Sequence, residues 1–261
     1  MGVVNATPDS FSDGGRFLDP TRAVEAALRM VSEGADIIDI GGESTRPGAV
    51  TVAEDEEIAR VVPVIRGLRA ASNTPISADT RKTAVARAAL EAGAEIINDV
   101  GAAQADPAMR ELLRTTGAGY VCMHMQGTPA TMQVEPRYDD VVAAVDSFFE
   151  ERLASLADAG VPVEQVVLDP GIGFGKTPGQ NLALLRRLGD FERHGRPCAV
   201  GVSRKAFLGH FLGGEVMERL PGSLSCALWA VRHGTSIIRT HDVAATVKAL
   251  RMQALLEGSI P

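Results

Sequence analysis

Residues 75–99, PISADTRKTAVARAALEAGAEIIND, contain the repeating unit on which the fold of this chain depends. A short apolar run, Pro75–Asp79, ends in an acidic residue and is followed by an alanine-rich amphipathic stretch, Lys82–Ala92. Gly93 then provides the positive φ that commonly ends a helix, and a second apolar run, Glu95–Asp99, begins. Two apolar runs joined by one helix predict a βαβ unit of a parallel sheet.

The same unit recurs along the whole chain. The other predicted strands are Gly2–Asn5, Asp36–Ile40, Gly119–His124, Gln165–Asp169, Cys198–Val202 and Ser236–Arg239. The other predicted helices are Pro20–Glu33, Ala53–Ala71, Asp106–Thr115, Asp139–Ala159, Asn181–Leu188, Ser203–His233 (with a break) and Val243–Glu257. The strands are continuous apolar runs, which is typical of a parallel sheet covered by helices. Eight βα units in 261 residues predict an α/β fold, a single (βα)8 TIM barrel. An open doubly wound sheet is the alternative, because periodicity does not show closure.

Composition excludes several classes of protein. The chain is 45% hydrophobic and 23% charged, so it is too apolar to be disordered, and no apolar run is long enough to span a membrane. The net charge of −7 argues against non-specific nucleic-acid binding. The three cysteines, Cys122, Cys198 and Cys226, are too far apart for a zinc site or a disulfide framework. With no signal-peptide pattern at the N-terminus, these features predict a reducing cytoplasm.

Polar or ionisable side chains follow every predicted strand, where the chemistry of a barrel gathers. Several have simpler interpretations. Asp79 and Asp242 could cap the helices after them, and Asn98 could satisfy loop backbone groups. His124 has apolar neighbours and could be a core residue. Residues 171–177, GIGFGKT, lack the spacing of a phosphate-binding or dinucleotide-binding loop.

The combination of these side chains nevertheless indicates a ligand. Asp79, Asn98 and Asp169 can pair with adjacent N–H donors and an acceptor, as an aminopyrimidinone ring presents them. Across the predicted barrel mouth lie Lys205, Arg239 and His241, from strands after which barrels often bind phosphate. The set predicts a ligand with a polar heteroaromatic end and an anionic end. Aromatic residues are only 4% of the chain, so two that fall in loops, Phe11 and Phe174, are interpreted as facing the substrate.

With these residues in place, the sequence resembles the dihydropteroate synthase family over essentially its whole length. The resemblance rests on motifs in the family's order: MGVVNATPDSFSDGG (1–15), DIGGESTRPG (39–48), DT (79–80), INDV (97–100), MHMQGTP (123–129), LDPGIGFGK (168–176), SRK (203–205) and RTHD (239–242). It implies one pterin-binding TIM-barrel domain over residues 1–261. It also implies an enzyme, a transferase of folate biosynthesis, that joins 6-hydroxymethyl-7,8-dihydropterin diphosphate to p-aminobenzoate and releases pyrophosphate.

The resemblance also implies roles for single residues. The pterin site is expected at Asp79, Asn98, Asp169, Lys205 and Arg239. The diphosphate site is expected at Asn5, Arg239 and His241, with Asn5 the protein ligand of Mg²⁺. The p-aminobenzoate site is expected at Phe11, Thr45, Arg46, Pro47, Phe174 and Lys205. The catalytic residues implied are Asp79, Lys205 and Asn5.

Four departures from the family pattern stand out. The chain begins at the first strand, so we expect it to lack the usual N-terminal extension. Ala206 occupies a position where relatives usually have serine, which predicts weaker binding of p-aminobenzoate by about 0.5–1.5 kcal/mol. Ala6 replaces a larger apolar residue, and Thr240 replaces a common valine and is expected to face away from the site.

Two other functions remain as alternatives. A corrinoid-linked pterin methyltransferase shares the Asp/Asn pterin set, and a non-catalytic pterin-binding paralogue would keep pterin affinity without turnover. Pyrophosphate release that depends on both p-aminobenzoate and Mg²⁺ separates all three. The family also implies a homodimer that is a target of sulfonamides. The apolar stretch Leu220–Val231, with Trp229, is a candidate interface or else a second buried face.

Overall fold

Eight parallel strands lie side by side in chain order in the computed structural model, which describes residues 1–7, 19–44, 48–104 and 106–258. They are β1 (Gly2–Asn5), β2 (Ile38–Gly41), β3 (Ile76–Asp79), β4 (Ile96–Asp99), β5 (Gly119–Met123), β6 (Val166–Asp169), β7 (Cys198–Gly201) and β8 (Thr235–Arg239). A parallel bridge between Gly2 and Thr240 joins the last strand to the first, and Val3 N–H donates to the Thr240 carbonyl (3.1 Å). The barrel prediction is confirmed, and the open-sheet alternative is wrong.

Helices follow the strands as expected. The α-helices in the described residues are α1 (Pro20–Ser32), α2 (Glu54–Ala71), α3 (Thr83–Ala92), α4 (Pro107–Thr116), α5 (Val141–Asp158), α6 (Pro178–Arg186), α7 (Ala206–Leu212), α8 (Leu220–Arg232) and α9 (Val243–Leu256). Within the described residues, no helix is both long and apolar enough to cross a membrane.

Helix boundaries differ from prediction at two places, each for a local reason. α6 begins at Pro178, earlier than expected, because Thr177 and Gln180 form a reciprocal capping box and proline suits the first turn. The expected break in 203–233 falls at Gly213 and Gly214, which both have positive φ and separate α7 from a short 3-10 turn (Val216–Arg219) and α8.

Strand alternation divides the side chains between two environments. Ile38, Ile40 and Ile76 are fully buried in the apolar core that includes the helices. Asp39 and Asp79 alternate with them and therefore point into the barrel, where both bond to Arg239 of β8. This arrangement places ionisable groups at the carboxyl ends of the strands.

Candidate active site

A cavity of about 320 Å³ opens at the carboxyl ends of the strands. Its lining residues are Asp79, Asn98, Val100, Met123, Asp169, Ile172, Phe174, Gly201, Lys205 and Arg239. The five residues expected to bind the pterin are all in this set, together with Phe174 from the expected p-aminobenzoate site. Barrel closure therefore brings together side chains from β3, β4, β6 and β8 and from the loops after β6 and β7.

Arg239 is held between two carboxylates in the barrel interior. Its Nε donates to Asp39 Oδ2 and its Nη2 to Asp79 Oδ2, each at 2.6 Å. Burial opposes its charge, but Asp39 and Asp79 outweigh that effect and raise its pKa. The guanidinium plane is thus fixed at the cavity wall, and a fixed plane of this kind can stack on a heteroaromatic ring.

The carboxyl of Asp79 has an unusual electrostatic environment. Burial is the largest influence and raises its pKa to about 7, against the attraction of Arg239. Asp39, Glu57 and Asp99 add repulsion in the same direction as burial. The simpler interpretation of Asp79 as a cap for the next helix is wrong, because the N-cap position of α3 is Lys82. Its position at the cavity and its raised pKa make it a candidate functional group.

Asp39 is a site residue that sequence reasoning missed. Its side chain is fully buried, and its Oδ2 accepts from both Arg239 and Asn98 Nδ2 (3.1 Å). It therefore orients two residues of the expected pterin site. A signal was present, because Asp39 lies two residues before the end of β2 and therefore on the inward face with Gly41.

Asp169 ends β6 and also lines the cavity. Burial raises the pKa of its carboxyl, while the Gly171 N–H donates to Oδ1 (2.7 Å) and favours the charged form. Lys205, Arg239 and Lys176 also favour the carboxylate. In its charged form, the Asp169 carboxylate can accept parallel hydrogen bonds from an amino-substituted ring.

Lys205 and Phe174 lie against each other in the cavity. The Lys205 Nζ is 4.2 Å from the centre of the Phe174 ring, a cation–π distance. Phe174 is buried and packs with Val100, Met123 and Met132. Burial and the neighbouring Arg239 lower the pKa of Lys205 to about 8. The prediction that Phe174 faces the substrate site agrees with its place in the cavity wall.

Asn5 and His241 do not line this cavity. They lie at the ends of the adjacent strands β1 and β8. The Ser203 hydroxyl accepts from the His241 backbone N–H (3.2 Å) and lies 3.1 Å from Nδ1. Burial, Arg239 and Arg204 lower the His241 pKa to about 4, so the imidazole is neutral near pH 7. Ser203 is a second residue that orients an expected ligand group.

Two residues after β8 have predictions of their own: Asp242 as a possible helix cap, and Thr240 as a side chain that faces away from the site. Asp242 stands at the N-cap of α9 but makes no side-chain cap bond. It pairs instead with Arg204 through two hydrogen bonds, Nε–Oδ2 (3.0 Å) and Nη2–Oδ1 (2.5 Å). Thr240 is buried and its hydroxyl lies 3.1 Å from that of Thr246 in α9. The prediction that Thr240 faces away from the site is confirmed.

A magnesium ion would fit here only if the ligand atoms at the end of β1 suit it. Among the residues that the structure describes, no three His, Cys, Asp or Glu side chains are grouped to hold a metal by themselves. Mg²⁺ commonly takes one or two protein oxygens, substrate phosphate oxygens and water. The Asn5 carboxamide oxygen, next to the strand end of His241, suits an ion that arrives with a diphosphate.

The glycine-rich loop after β6 is shaped by close backbone contacts. Gly171, Gly173 and Gly175 all have positive φ. A Cβ on Gly171 would overlap the His124 carbonyl oxygen, so glycine is required for the close approach of this loop to β5. The buried Lys176 Nζ lies 3.0 Å from His124 Nδ1. His124 is therefore a buried structural contact, the simpler of its two interpretations.

The remaining predicted p-aminobenzoate residues, Phe11, Thr45, Arg46 and Pro47, lie outside the described residues. The segment Leu220–Val231 forms most of α8, and its buried side includes Ala227 and Ala230. Trp229 is 45% exposed, and its Nε1 donates to the Leu185 carbonyl (2.8 Å). One face of the segment is thus a buried face, and the other is open to solvent.

Comparisons with known proteins agree with this geometry. The sequence profile of the family described as "Pterin binding enzyme" matches residues 1–241. Dihydropteroate synthase of Escherichia coli K12 is 47% identical over 252 residues, covering 97% of this chain and 89% of that protein. That of Neisseria meningitidis serogroup B is 45% identical over 258 residues, covering 97% and 90%.

Solved structures give the same result at the level of the fold. The Xanthomonas albilineans dihydropteroate synthase with 4-aminobenzoic acid superposes with a TM-score of 0.94 at 44% identity, covering 100% of this chain and 93% of that chain. The complex of the same species' enzyme with 7,8-dihydropteroate has a TM-score of 0.90 at 41% identity, covering 100% and 94%. The Yersinia pestis enzyme with a sulfonamide drug has a TM-score of 0.93 at 43% identity, covering 99% and 94%. This chain belongs to the pterin binding enzyme family and, within it, to the dihydropteroate synthases.

Proposed function

We propose that this protein joins 6-hydroxymethyl-7,8-dihydropterin diphosphate to p-aminobenzoate and releases 7,8-dihydropteroate and pyrophosphate. One observation carries the proposal: Asp79, Asn98, Asp169, Lys205 and Arg239 line a single cavity. That cavity lies in a chain 47% identical to the E. coli dihydropteroate synthase. Neither a corrinoid-linked methyltransferase nor a non-catalytic paralogue has support from the relatives.

The pterin ring is recognised by the polar wall of the cavity. The Asp169 carboxylate accepts from the amino group and an adjacent ring N–H. Because Asn98 Nδ2 donates to Asp39, the Asn98 Oδ1 serves as an acceptor for the ring. Arg239, held in place by Asp39 and Asp79, stacks on the ring face, and Lys205 contacts the ring from the other side of the cavity.

Asp79 stabilises positive charge on the ring. When the C–O bond to the diphosphate breaks first, the dihydropterin becomes cationic. A buried carboxylate stabilises such a cation more strongly than a solvated one, because the surrounding dielectric is low. The pKa of about 7 means that the free site holds Asp79 partly protonated, and a cation beside it favours the charged form.

In the proposed complex, the diphosphate binds at the ends of β1 and β8. Asn5 would hold the magnesium ion, which when bound neutralises charge that develops on the leaving diphosphate. The neutral His241 can donate from Nε2 to a phosphate oxygen, because the Ser203 hydroxyl can donate to Nδ1. Arg239 adds its fixed positive charge nearby.

In the proposed complex, p-aminobenzoate binds against Phe174 and Lys205. The aromatic ring of Phe174 offers an apolar surface for the substrate ring, and Lys205 attracts its carboxylate. Phe11, Thr45, Arg46 and Pro47 complete the proposed site from the first two loops. The Y. pestis relative was solved with a sulfonamide drug, so sulfonamides are expected to compete with p-aminobenzoate here.

The decisive experiment measures pyrophosphate release by the purified protein. Release should require the pterin diphosphate, p-aminobenzoate and Mg²⁺ together, and omission of any one should abolish it. Pterin binding without release would identify a non-catalytic paralogue. Methyl transfer from a methylated pterin to a corrinoid, with no pyrophosphate release, would identify the methyltransferase.

We also propose that the protein is a cytoplasmic homodimer. Cys122, Cys198 and Cys226 are all free thiols, which suits a reducing compartment. Most large apolar side chains exposed in the described residues lie on α7, α8, α9 and the 3-10 turn between α7 and α8. We call them the C-terminal apolar surface: Phe211, Leu212, Val216, Met217, Trp229, Val231, Met252, Leu255 and Leu256. Outside it, only Val50 and Val134 of the described residues expose a large apolar side chain.

A further inference from the structure

The ammonium group of Lys176 is the central contact of the loop after β6. The side chain is only 2% exposed, yet its Nζ donates to the carbonyl oxygens of Phe174 (2.9 Å) and Gly171 (3.0 Å). The same atom lies 3.0 Å from His124 Nδ1 and 3.3 Å from the His124 carbonyl oxygen. One cation therefore ties the β6 loop to itself and to the end of β5.

His124 is suited to this contact as an acceptor. Burial and the charge of Lys176 lower its pKa to about 3, so the imidazole is neutral. A neutral ring that accepts at Nδ1 carries its proton on Nε2. Burial lowers the Lys176 pKa to about 7, while Asp169 favours its charged form and Lys205 disfavours it. All four acceptors around Nζ are uncharged, so they solvate the ammonium without an ion pair.

The loop that Lys176 ties together contributes two sides of the candidate active site. At one end, the Gly171 N–H donates to Asp169 Oδ1 (2.7 Å). At the other, Phe174 packs beneath Lys205 Nζ. The backbone of Gly173 packs closely against the Lys205 side chain, since a Cβ at this position would approach Lys205 Cδ to 3.0 Å. A movement of the Gly171–Phe174 turn would therefore move the Phe174 ring and Lys205 together.

We propose that Lys176 is a positioning residue for the p-aminobenzoate site: its ammonium holds the Gly171–Phe174 turn against His124 and thereby fixes Phe174 and Lys205. Lys176 does not line the cavity and so acts on the substrate through these two residues. The inference rests on the proposed function, because it assigns Phe174 to the arylamine substrate. It predicts a larger effect on p-aminobenzoate than on the pterin, because Phe174 is assigned to p-aminobenzoate alone, whereas Lys205 and the Gly171–Asp169 hydrogen bond also serve the pterin.

The test compares Lys176→Met, which keeps the length and removes the donors, with Lys176→Gln, which keeps two N–H donors. Lys248→Met, at an exposed position of α9, is the matched control. In Lys176→Met, KM for p-aminobenzoate should rise about 10- to 100-fold, as expected for a displacement of about 1 Å. KM for the pterin diphosphate should rise by a factor at least about three times smaller, because Asp79, Asn98 and Arg239 are outside the turn, and Lys176→Gln should be intermediate.

Equilibrium binding provides a readout that does not need turnover. Calorimetry with 7,8-dihydropteroate and with 6-hydroxymethylpterin should show a larger loss of affinity for the first ligand than for the second in Lys176→Met. If Lys176→Met does not fold, the same comparison of the two ligands in Lys176→Gln tests the positioning role. Equal changes for both ligands, or no change in a folded variant, overturn the positioning role. If the wild-type protein binds both ligands but releases no pyrophosphate, the proposed function fails. The change in affinity for each ligand in the Lys176 variants still tests the positioning role of Lys176.

Discussion

In its proposed role, Asp79 would serve chemistry at the expense of stability. Its carboxyl is buried near Asp39, Glu57 and Asp99, with one cation, Arg239, in direct contact. Burial outweighs that cation, and the pKa of about 7 lies well above the ordinary 3.8. Groups held in this way usually belong to functional sites, because a fold has no structural reason to keep them.

We expect Asp79→Asn to lower kcat by at least about 100-fold, because the neutral amide cannot stabilise a pterin cation. The same change should raise the melting temperature at pH 8, with about 2–4 °C for each kcal/mol gained. Between pH 3.8 and about 7 the folded protein binds this proton more tightly than the unfolded chain, so wild-type stability falls as pH rises. Above about pH 7, the charged, buried Asp79 carboxylate has its full destabilising effect on the folded protein.

The measurement is thermal unfolding of both proteins between pH 5 and pH 8, with pyrophosphate assays on the same samples. The difference in melting temperature between Asp79→Asn and wild type should grow as pH rises. A variant that keeps its activity, or one whose relative stability falls as pH rises, would contradict the assigned role.

Ala206 departs from the family pattern by a single missing hydroxyl, since relatives usually have serine at this position. It is exposed and is the first residue of α7, directly after Lys205. Ala206→Ser should lower KM for p-aminobenzoate about 2- to 10-fold, the value of one hydrogen bond. Ala84→Ser, at an exposed position in the first turn of α3, is the control and should leave KM unchanged. An unchanged KM in Ala206→Ser would sink the hypothesis.

At the scale of single elements, the loop after β6 shows why glycine recurs at a functional turn. Gly171, Gly173 and Gly175 adopt positive φ, and backbone from the β5 loop lies against two of them. The helix that follows starts with the Thr177–Gln180 capping box, and its Asn181 Oδ1 accepts from the Gly173 N–H of the loop (2.6 Å). The turn is therefore shaped by close backbone contact, and the helix by its own cap.

Gly171→Ala should lower the free energy of unfolding by about 1–3 kcal/mol, because alanine is strained at φ +66° and its Cβ would overlap the His124 carbonyl. Urea unfolding measures the change. Gly179→Ala is the control, since Gly179 lies in α6 and a Cβ at this position would meet nothing within 4 Å. It should be neutral or stabilising by up to about 1 kcal/mol. Equal effects of the two changes would rule out the packing account.

At the scale of the whole molecule, charge and apolar surface are unevenly distributed. The chain carries −7 overall, yet Lys205, Arg239 and Lys176 lie together around the cavity and its supporting loop. The C-terminal apolar surface holds most of the large apolar side chains exposed in the described residues. This concentration of exposed apolar side chains is the basis of the proposed dimer interface.

We expect the protein to have twice the chain mass of 27.5 kDa in solution, as measured by light scattering. Leu255→Glu, on the C-terminal apolar surface, should shift it toward the monomer, because a charge in an apolar interface is not compensated. Val134→Glu, at an exposed apolar position outside that surface, should have no effect. A monomeric wild type, or a dimer unaffected by Leu255→Glu, would contradict the proposed interface.

Much of the fold was predictable because its signals are local. Apolar runs, the helix-ending Gly93 and Gly117, and polar strand ends predicted eight βα units, with most boundaries within about two residues. Thr240 was placed correctly by strand alternation alone. Closure was predicted from the number of βα units and not from any local signal, because the bridge between Gly2 and Thr240 joins residues at the two ends of the sheet.

The sequence by itself determined which residues stand at the strand ends, and therefore which chemistry the barrel mouth holds. Only the tertiary structure decided how these groups pair. Arg239 meets Asp39 across 200 positions and Asp79 across 160, and Asp39 orients Asn98 as well. The physical reason is that strand order and alternation are properties of nearby residues, whereas hydrogen bonds between distant side chains exist only after the barrel has closed.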